Sequence, residues 1–207
     1  DLELPAGKFI VVLGPSGAGK STLLNLIGGL DSPSSGTIKV DGQDISGLDR
    51  NELADYRART VGFVFQSYNL IPTLTVKENV GLVREICEDP LDAEEILEAV
   101  GLKDHMKKFP AELSGGEQQR VSIARALAKN PKVIFADEPT AALYFQTSVE
   151  VLRVIEDIVR TQGTTVMMVT HNEEIAKMAN RVVKLKDGKI ASIRTNLHPL
   201  HADELSW

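Results

Sequence analysis

Short runs of β-branched and other apolar residues alternate along this chain with stretches whose apolar positions recur at helical spacing. Phe9–Leu13, Thr37–Val40, Val61–Phe65, Val133–Ala136, Thr165–Val169, Arg181–Leu185 and Lys189–Ile193 read as strands. Strands separated by helical segments predict an α/β fold with a mostly parallel sheet. Asp187-Gly188 between the last two strands is a hairpin signal, which adds an antiparallel portion. Asp41-Gly42 marks another tight turn.

Between Pro72 and Pro110 the pattern changes. Val76–Glu85 and Asp92–Val100 read as helices with little strand between them. Asp92 is placed to cap the second helix, and Glu94 and Glu95 suit its first turn. The reading is a helical insert in a sheet domain: residues 1–71 and 128–207 form the core, and 72–127 a helical subdomain that includes the helix opening near Ser114. The tail from Asn196 to Trp207, with two His, one Pro and an isolated Trp, is expected to pack loosely or be disordered.

Composition narrows the class. A chain of 207 residues with 25% charged and 43% hydrophobic residues suits one globular domain with a real core. A net charge of −6 runs against a nucleic-acid surface. No apolar stretch approaches the roughly twenty residues that span a bilayer. Asp1-Leu2-Glu3 does not begin a secretory signal. Cys87 is the single cysteine, expected to act as a small buried hydrophobe in a reducing compartment, so the cytoplasm is the expected setting.

Residues 14–22 read GPSGAGKST and fill the pattern G-x-x-x-x-G-K-[ST], with an apolar strand leading in and a helical run leading out. Glycines let backbone N–H groups approach phosphate oxygens, and the following helix adds its positive end. The candidate cradle is Gly14, Pro15, Ser16, Gly17, Ala18, Gly19, Lys20, Ser21 and Thr22. Lys20 is placed to reach the β- and γ-phosphates and Ser21 to ligate Mg²⁺. A nucleoside triphosphate is the expected ligand. Residues 133–138 read VIFADE, ending a strand on two carboxylates at the edge where α/β sheets hold ligands. Asp137 is the candidate for Mg²⁺, and Glu138 for deprotonating the attacking water. Residues 113–120 read LSGGEQQR: Ser114 and Glu117 form a capping box, while Gly115 and Gly116 cost helix stability unless something approaches the backbone. A second anion contact at Ser114, Gly115 and Gly116 is the expectation.

These motifs resemble those of the ATP-binding-cassette (ABC) ATPases over nearly the whole chain: GPSGAGKST their Walker A, VIFADE their Walker B and LSGGEQQR their signature. Gln66 resembles the Q-loop glutamine and His171 the switch histidine. The resemblance implies a P-loop NTPase fold with a RecA-like core, ATP and Mg²⁺ as ligands, and Glu138, His171, Lys20 and Gln66 as the residues acting in hydrolysis. It implies Ser21, Gln66 and Asp137 as metal ligands. It also implies a head-to-tail homodimer that closes on two ATP molecules, with Ser114 and Gly116 of one copy meeting the γ-phosphate held by Lys20 of the other. His105, His198 and His201 have no such context and are expected at the surface.

The finer likeness is to the ATPases of lipoprotein-releasing, macrolide-exporting and antimicrobial-peptide-resistance systems, through Phe65–Leu70, Leu74–Val80 and Phe109–Glu112. It implies a chain on the cytoplasmic face of the membrane, peripheral rather than inserted, driving a transmembrane permease. The alternatives are regulation or mechanical signalling through a membrane partner without solute transport, and a hydrolysis-impaired form. Tyr68–Val80 is the candidate permease surface, although Leu70, Ile71 and Leu74 equally suit insert core.

Two departures from the family pattern carry expectations. Tyr144 follows Ala142-Leu143 where the family usually has the D-loop aspartate, which bears on communication between the two sites. Leu143-Tyr144-Phe145-Gln146 also resembles a viral-protease recognition site used in engineered proteins. Secondly, the phosphate loop comes early, and Phe9, the only aromatic before it, reads as strand core. Taken as complete, the chain is expected to lack an adenine platform and two edge strands, to bind nucleotide weakly and to hydrolyse it slowly.

Overall fold

The computed structural model describes all 207 residues. Its centre is a six-stranded sheet in the order β4-β5-β6-β1-β7-β8. The strands are β1 (Phe9–Leu13), β4 (Val61–Val64), β5 (Val133–Asp137), β6 (Thr165–Thr170), β7 (Arg181–Lys186) and β8 (Lys189–Thr195). All neighbours are parallel except β7 and β8, an antiparallel hairpin turning on Asp187-Gly188. The fold is therefore the mostly parallel α/β architecture that the alternating pattern predicts.

β1 explains how the sheet is covered. All five of its residues are buried, and successive side chains point to opposite faces. Phe9, Val11 and Leu13 join a cluster of 35 buried residues. Ile10 and Val12 join a second cluster of 13 on the other face. Helices α1 (Lys20–Ile27) and α2 (Arg50–Thr60) cover the smaller cluster, through residues such as Leu24 and Tyr56. Helices α3 (Val76–Gly81), α4 (Ala93–Ala99), α5 (Gly115–Ala128) and α6 (Phe145–Gln162) contribute to the larger one. A layer of helices on each face is what continuous apolar strands require.

The expected strands and helices are present with shifted ends. Thr37–Val40 shortens to β2 (Lys39–Val40), paired with β3 (Gln43–Asp44) across Asp41 and Gly42, both at positive φ. β6 runs one residue further than predicted, to Thr170, and β8 two further, to Thr195. The helix expected over Val76–Glu85 is α-helical only to Gly81 and continues as a 3₁₀ turn over Leu82–Glu85. Asp92 caps α4 as read, accepting from Glu94 and Glu95 N–H at 2.9 and 3.1 Å.

The tail is a correction. It is neither loose nor disordered: Ala202 and Leu205 are buried in the larger core. Trp207 meets Phe145 edge-on, ring centres 4.7 Å apart. Arg153 pairs with Asp203, and His201 with Glu156, both from α6. The chemistry of α6 accounts for this docking, since its outer face offers a carboxylate and a guanidinium of opposite sign to the tail's own. No helix is long and apolar enough to cross a membrane.

Candidate functional site

The C-terminal ends of β1, β5 and β6 lie side by side, because β6 pairs with β1 on one edge and β5 on the other. Whatever follows each strand is delivered to one place. After β1 comes the glycine loop, β5 ends on Asp137 with Glu138 next, and His171 follows β6.

Steric and conformational demands in the loop account for its glycines. A Cβ on Gly14 would lie 2.7 Å from the Leu185 carbonyl oxygen and 3.0 Å from the Ala18 side chain. Gly17 and Gly19 hold φ of 80° and 94°, which side chains resist. The β7–β8 turn braces the loop from behind, with Gly188 N–H donating to Ala18 O at 3.2 Å. Lys20 folds back over it: Nζ donates to the carbonyls of Gly14 (2.7 Å) and Pro15 (3.1 Å). Helix α1 starts at Lys20 with no side-chain cap, so its first N–H groups face the cleft without intrahelical acceptors.

Ser21 Oγ donates to Asp137 Oδ1 at 3.2 Å. Burial pushes the Asp137 carboxyl above its ordinary value and the Glu138 charge adds to this, while the Ser21 bond and Lys20 oppose it. Glu138 stands at φ 46°, a left-handed conformation unusual outside glycine, with its N–H on Val169 O at 3.0 Å. Its carboxylate is held on both oxygens: Thr170 Oγ1 donates to Oε2 at 3.2 Å, and His171 Nδ1 lies 2.9 Å from Oε1. Glu138 is mostly covered, at 17% side-chain exposure, and His171 stands at the mouth at 67%.

Ser16, Gly17, Gly19, Lys20, Ser21, Thr22, Gln66, Asp137, Glu138, Ala141 and His171 line one open cleft of about 720 Å³. Residues predicted from four separated stretches of sequence thus converge, with Gly14, Pro15 and Ala18 in the loop wall behind them. A smaller polar hollow of about 270 Å³, near Lys177, Arg194 and His198, opens by the tail at the β8 edge of the sheet.

Ser21, Asp137 and Gln66 offer hydroxyl, carboxylate and amide oxygens, a donor set suited to a hard divalent cation such as Mg²⁺. No cluster of three or more His, Cys, Asp or Glu could hold a metal by itself. A cation here therefore fits only with further oxygens, which a bound phosphate chain supplies.

Ser114, Gly115 and Gly116 are not part of the cleft. The expected capping box is present: Ser114 Oγ accepts from Glu117 N–H at 3.3 Å, and Glu117 Oε2 from Ser114 N–H at 2.7 Å. The approach that its glycines permit is made within this chain. A Cβ on Gly116 would fall 2.0 Å from Thr147 Cγ2, and one on Gly115 would lie 2.9 Å from the Tyr68 hydroxyl.

His105 corrects its surface assignment. It is three-quarters buried, and its Nε2 lies 2.9 Å from Glu117 Oε1. Burial raises the Glu117 carboxyl, but the Ser114 bonds, His105 and Lys108 together bring it below its ordinary value. Sequence reasoning also passed over Thr170, whose hydroxyl bonds Glu138. Its place one residue before His171, at a strand's end, was the available signal.

A mostly parallel sheet, a glycine loop opening a helix, and a lysine, a serine and two carboxylates around one cleft define a P-loop nucleotide-binding domain. The family model described as ABC transporter matches residues 1–141, and the chain belongs to that family. Over its full length it is 48% identical to a Mycoplasma pneumoniae homologue of the ABC transporter ATP-binding protein MG065, of which it spans 45%. It is 47% identical over 92% of its length to the macrolide export ATP-binding/permease protein MacB of Marinobacter nauticus, spanning 30% of that protein. The chain thus spans less than half the length of these two relatives. Among solved structures it resembles the dimeric cassette MJ0796 bound to ADP and phosphate in a post-hydrolysis state. That likeness has a TM-score of 0.84 at 40% identity, covering 94% of this chain and 88% of the other.

Proposed function

We propose that this domain binds Mg-ATP in the cleft at the ends of β1, β5 and β6 and hydrolyses it as one half of a head-to-tail homodimer, powering a transmembrane permease. The observation that carries the reading is the two-sided hold on the Glu138 carboxylate by Thr170 and His171, facing Lys20 and Ser21 across the cleft.

The cradle from Gly14 to Thr22 receives the phosphates on backbone N–H groups, and Lys20 exchanges its loop carbonyls for β- and γ-phosphate oxygens. Ser21, Asp137 and Gln66 would hold Mg²⁺, which would supply charge neutralisation at the phosphate oxygens. Glu138 accepts a proton from water as its oxygen bonds to the γ-phosphorus. The bond from that phosphorus to the β–γ bridging oxygen breaks, and ADP and inorganic phosphate leave. His171, fixed against Glu138, orients the water and contacts the γ-phosphate. Ser114, Gly115 and Gly116 face the nucleotide of the other copy; the dimeric state of the similar cassette bound to ADP and phosphate supports the pairing of two copies. Residues 1–71 and 128–207 form the nucleotide-binding core, and 72–127 a helical unit that faces the permease. The membrane role draws on the printed name of the MacB relative, which joins ATP binding to a permease. On this reading the domain sits on the cytoplasmic face, peripheral to the bilayer.

Titration with a fluorescent ATP analogue, with and without Mg²⁺, tests the binding half. Lys20→Ala is expected to lower affinity at least about tenfold, and Asp137→Asn to remove the gain in affinity on adding Mg²⁺. Unchanged binding in both variants contradicts the reading.

A further inference from the structure

The turn that carries Gln66 leaves β4 through an unusual backbone. Tyr68 N–H closes it on Phe65 O at 3.2 Å, and Asn69 N–H donates to Ser67 O at 2.6 Å. Tyr68 and Asn69 then both stand in the left-handed region, at φ 62° and 52°. Two successive non-glycine residues there cost on the order of 1 kcal/mol or more each, and persist only where surroundings enforce them.

The enforcing group comes from α5. Arg125 Nη1 donates to Asn69 O at 2.7 Å, and Nη2 to Tyr68 O at 3.1 Å. One planar guanidinium thus takes the two adjacent carbonyls of the left-handed pair. Burial lowers the Arg125 pKa, since no carboxylate compensates its charge; the carbonyl dipoles are what it has. The same loop touches α5 a second time, nearly three turns earlier, where the Tyr68 hydroxyl lies over Gly115. Tyr68 therefore spans from the Gln66 turn to the first residue of α5, and Arg125 pins its backbone.

We propose that Arg125 is a positioning residue that ties the Gln66 turn to α5, so that nucleotide engaging Gln66 moves the Ser114–Gly116 end of that helix. The inference rests on the reading that nucleotide binds beside Gln66. It adds the residue through which that event reaches the helix, and it predicts that Arg125 acts through geometry rather than charge.

The test is backbone amide hydrogen exchange on the full chain, at a concentration where it sediments as a monomer, with and without Mg-ATP. In the wild-type protein nucleotide changes exchange at both 66–70 and 114–118. In Arg125→Lys, which keeps the charge but not the two-pronged grip, the response at 114–118 falls at least about fivefold, the lower end of typical site-to-site coupling. The response at Gln66 and nucleotide affinity persist. Asn69→Gly, which adopts the left-handed conformation freely and keeps its carbonyl, retains both responses. A response at 114–118 undiminished in Arg125→Lys overturns the proposal. So does joint loss of both responses, affinity and thermal stability, which marks Arg125 as structural only. A wild-type chain that binds nucleotide without a shared response refutes the tie alone; one that binds none refutes the reading of the cleft and the tie with it.

Discussion

Replacing Tyr144 with aspartate is expected to stabilise this chain by about 1–3 kcal/mol. Tyr144 is the N-cap of α6, the longest helix at 18 residues, and already holds the extended cap conformation at φ −69° and ψ 157°. Its side chain makes no cap hydrogen bond, and the first turn of α6 contains no acidic residue. The N–H groups of Gln146 and Thr147, at the second and third helical positions, are the ones an N-cap side chain serves. Aspartate there supplies the missing acceptor, worth roughly 0.5–2 kcal/mol, and a negative charge at the positive helix end, worth about 0.3–1 kcal/mol. Little is lost in exchange, because Tyr144 is 89% exposed. For a chain of this length each kcal/mol moves Tm by about 2–4 °C. Thermal scans and urea titrations of Tyr144→Asp and Tyr144→Ala separate cap from phenol: alanine is expected within about 0.5 kcal/mol of wild type. Salt is expected to erode the charge part of the aspartate gain and leave the hydrogen-bond part. Aspartate no more stable than alanine refutes the reasoning about the α6 start.

Three further expectations follow from the packing. Gly116→Ala forces a methyl against Thr147 Cγ2 at 2.0 Å, at a cost of about 1–3 kcal/mol; adding Thr147→Ser, which removes that methyl, should recover most of it in urea titrations. Asn79→Ala strips a fully buried amide that bonds Ile71 N–H and O, Leu74 O and Thr75 O at 2.8–3.1 Å; a loss of about 2–3 kcal/mol by the same measurement is expected. Trp207 fluorescence should report the tail: Glu156 beside His201 raises its pKa from 6.5, so the contact is fully present below that value and weakens as pH rises through the raised one. Emission should shift to the red over that window and lose the dependence in His201→Gln; a flat profile in wild type contradicts the docking.

Local patterns carried what was legible in the sequence. The strand–glycine loop–helix succession of residues 9–27 and the carboxylates ending β5 each state their element and chemistry within a few residues, so their convergence followed once the sheet was read as parallel. Non-local pairing was hidden. Nothing near Gly116 in sequence announces that Thr147 will need its space, and nothing near His105 announces Glu117, twelve residues away across a turn. The tail misled for a related reason: its isolated Trp, His and Asp look like a solvated end until α6 supplies Phe145, Glu156 and Arg153. β8 was legible as a strand, yet its end was set by the pairing of Thr195 with Arg181, which only the hairpin register defines.

On the proposed reading, Glu138 acts as the base for ATP hydrolysis in a dimer. Phosphate release from Mg-ATP, followed against protein concentration with Glu138→Gln alongside, tests it most directly. The account predicts a rate that climbs with the square of concentration at low occupancy of the dimer and disappears in Glu138→Gln, while nucleotide binding by the variant persists. A rate merely proportional to concentration, or one that survives Glu138→Gln, contradicts it.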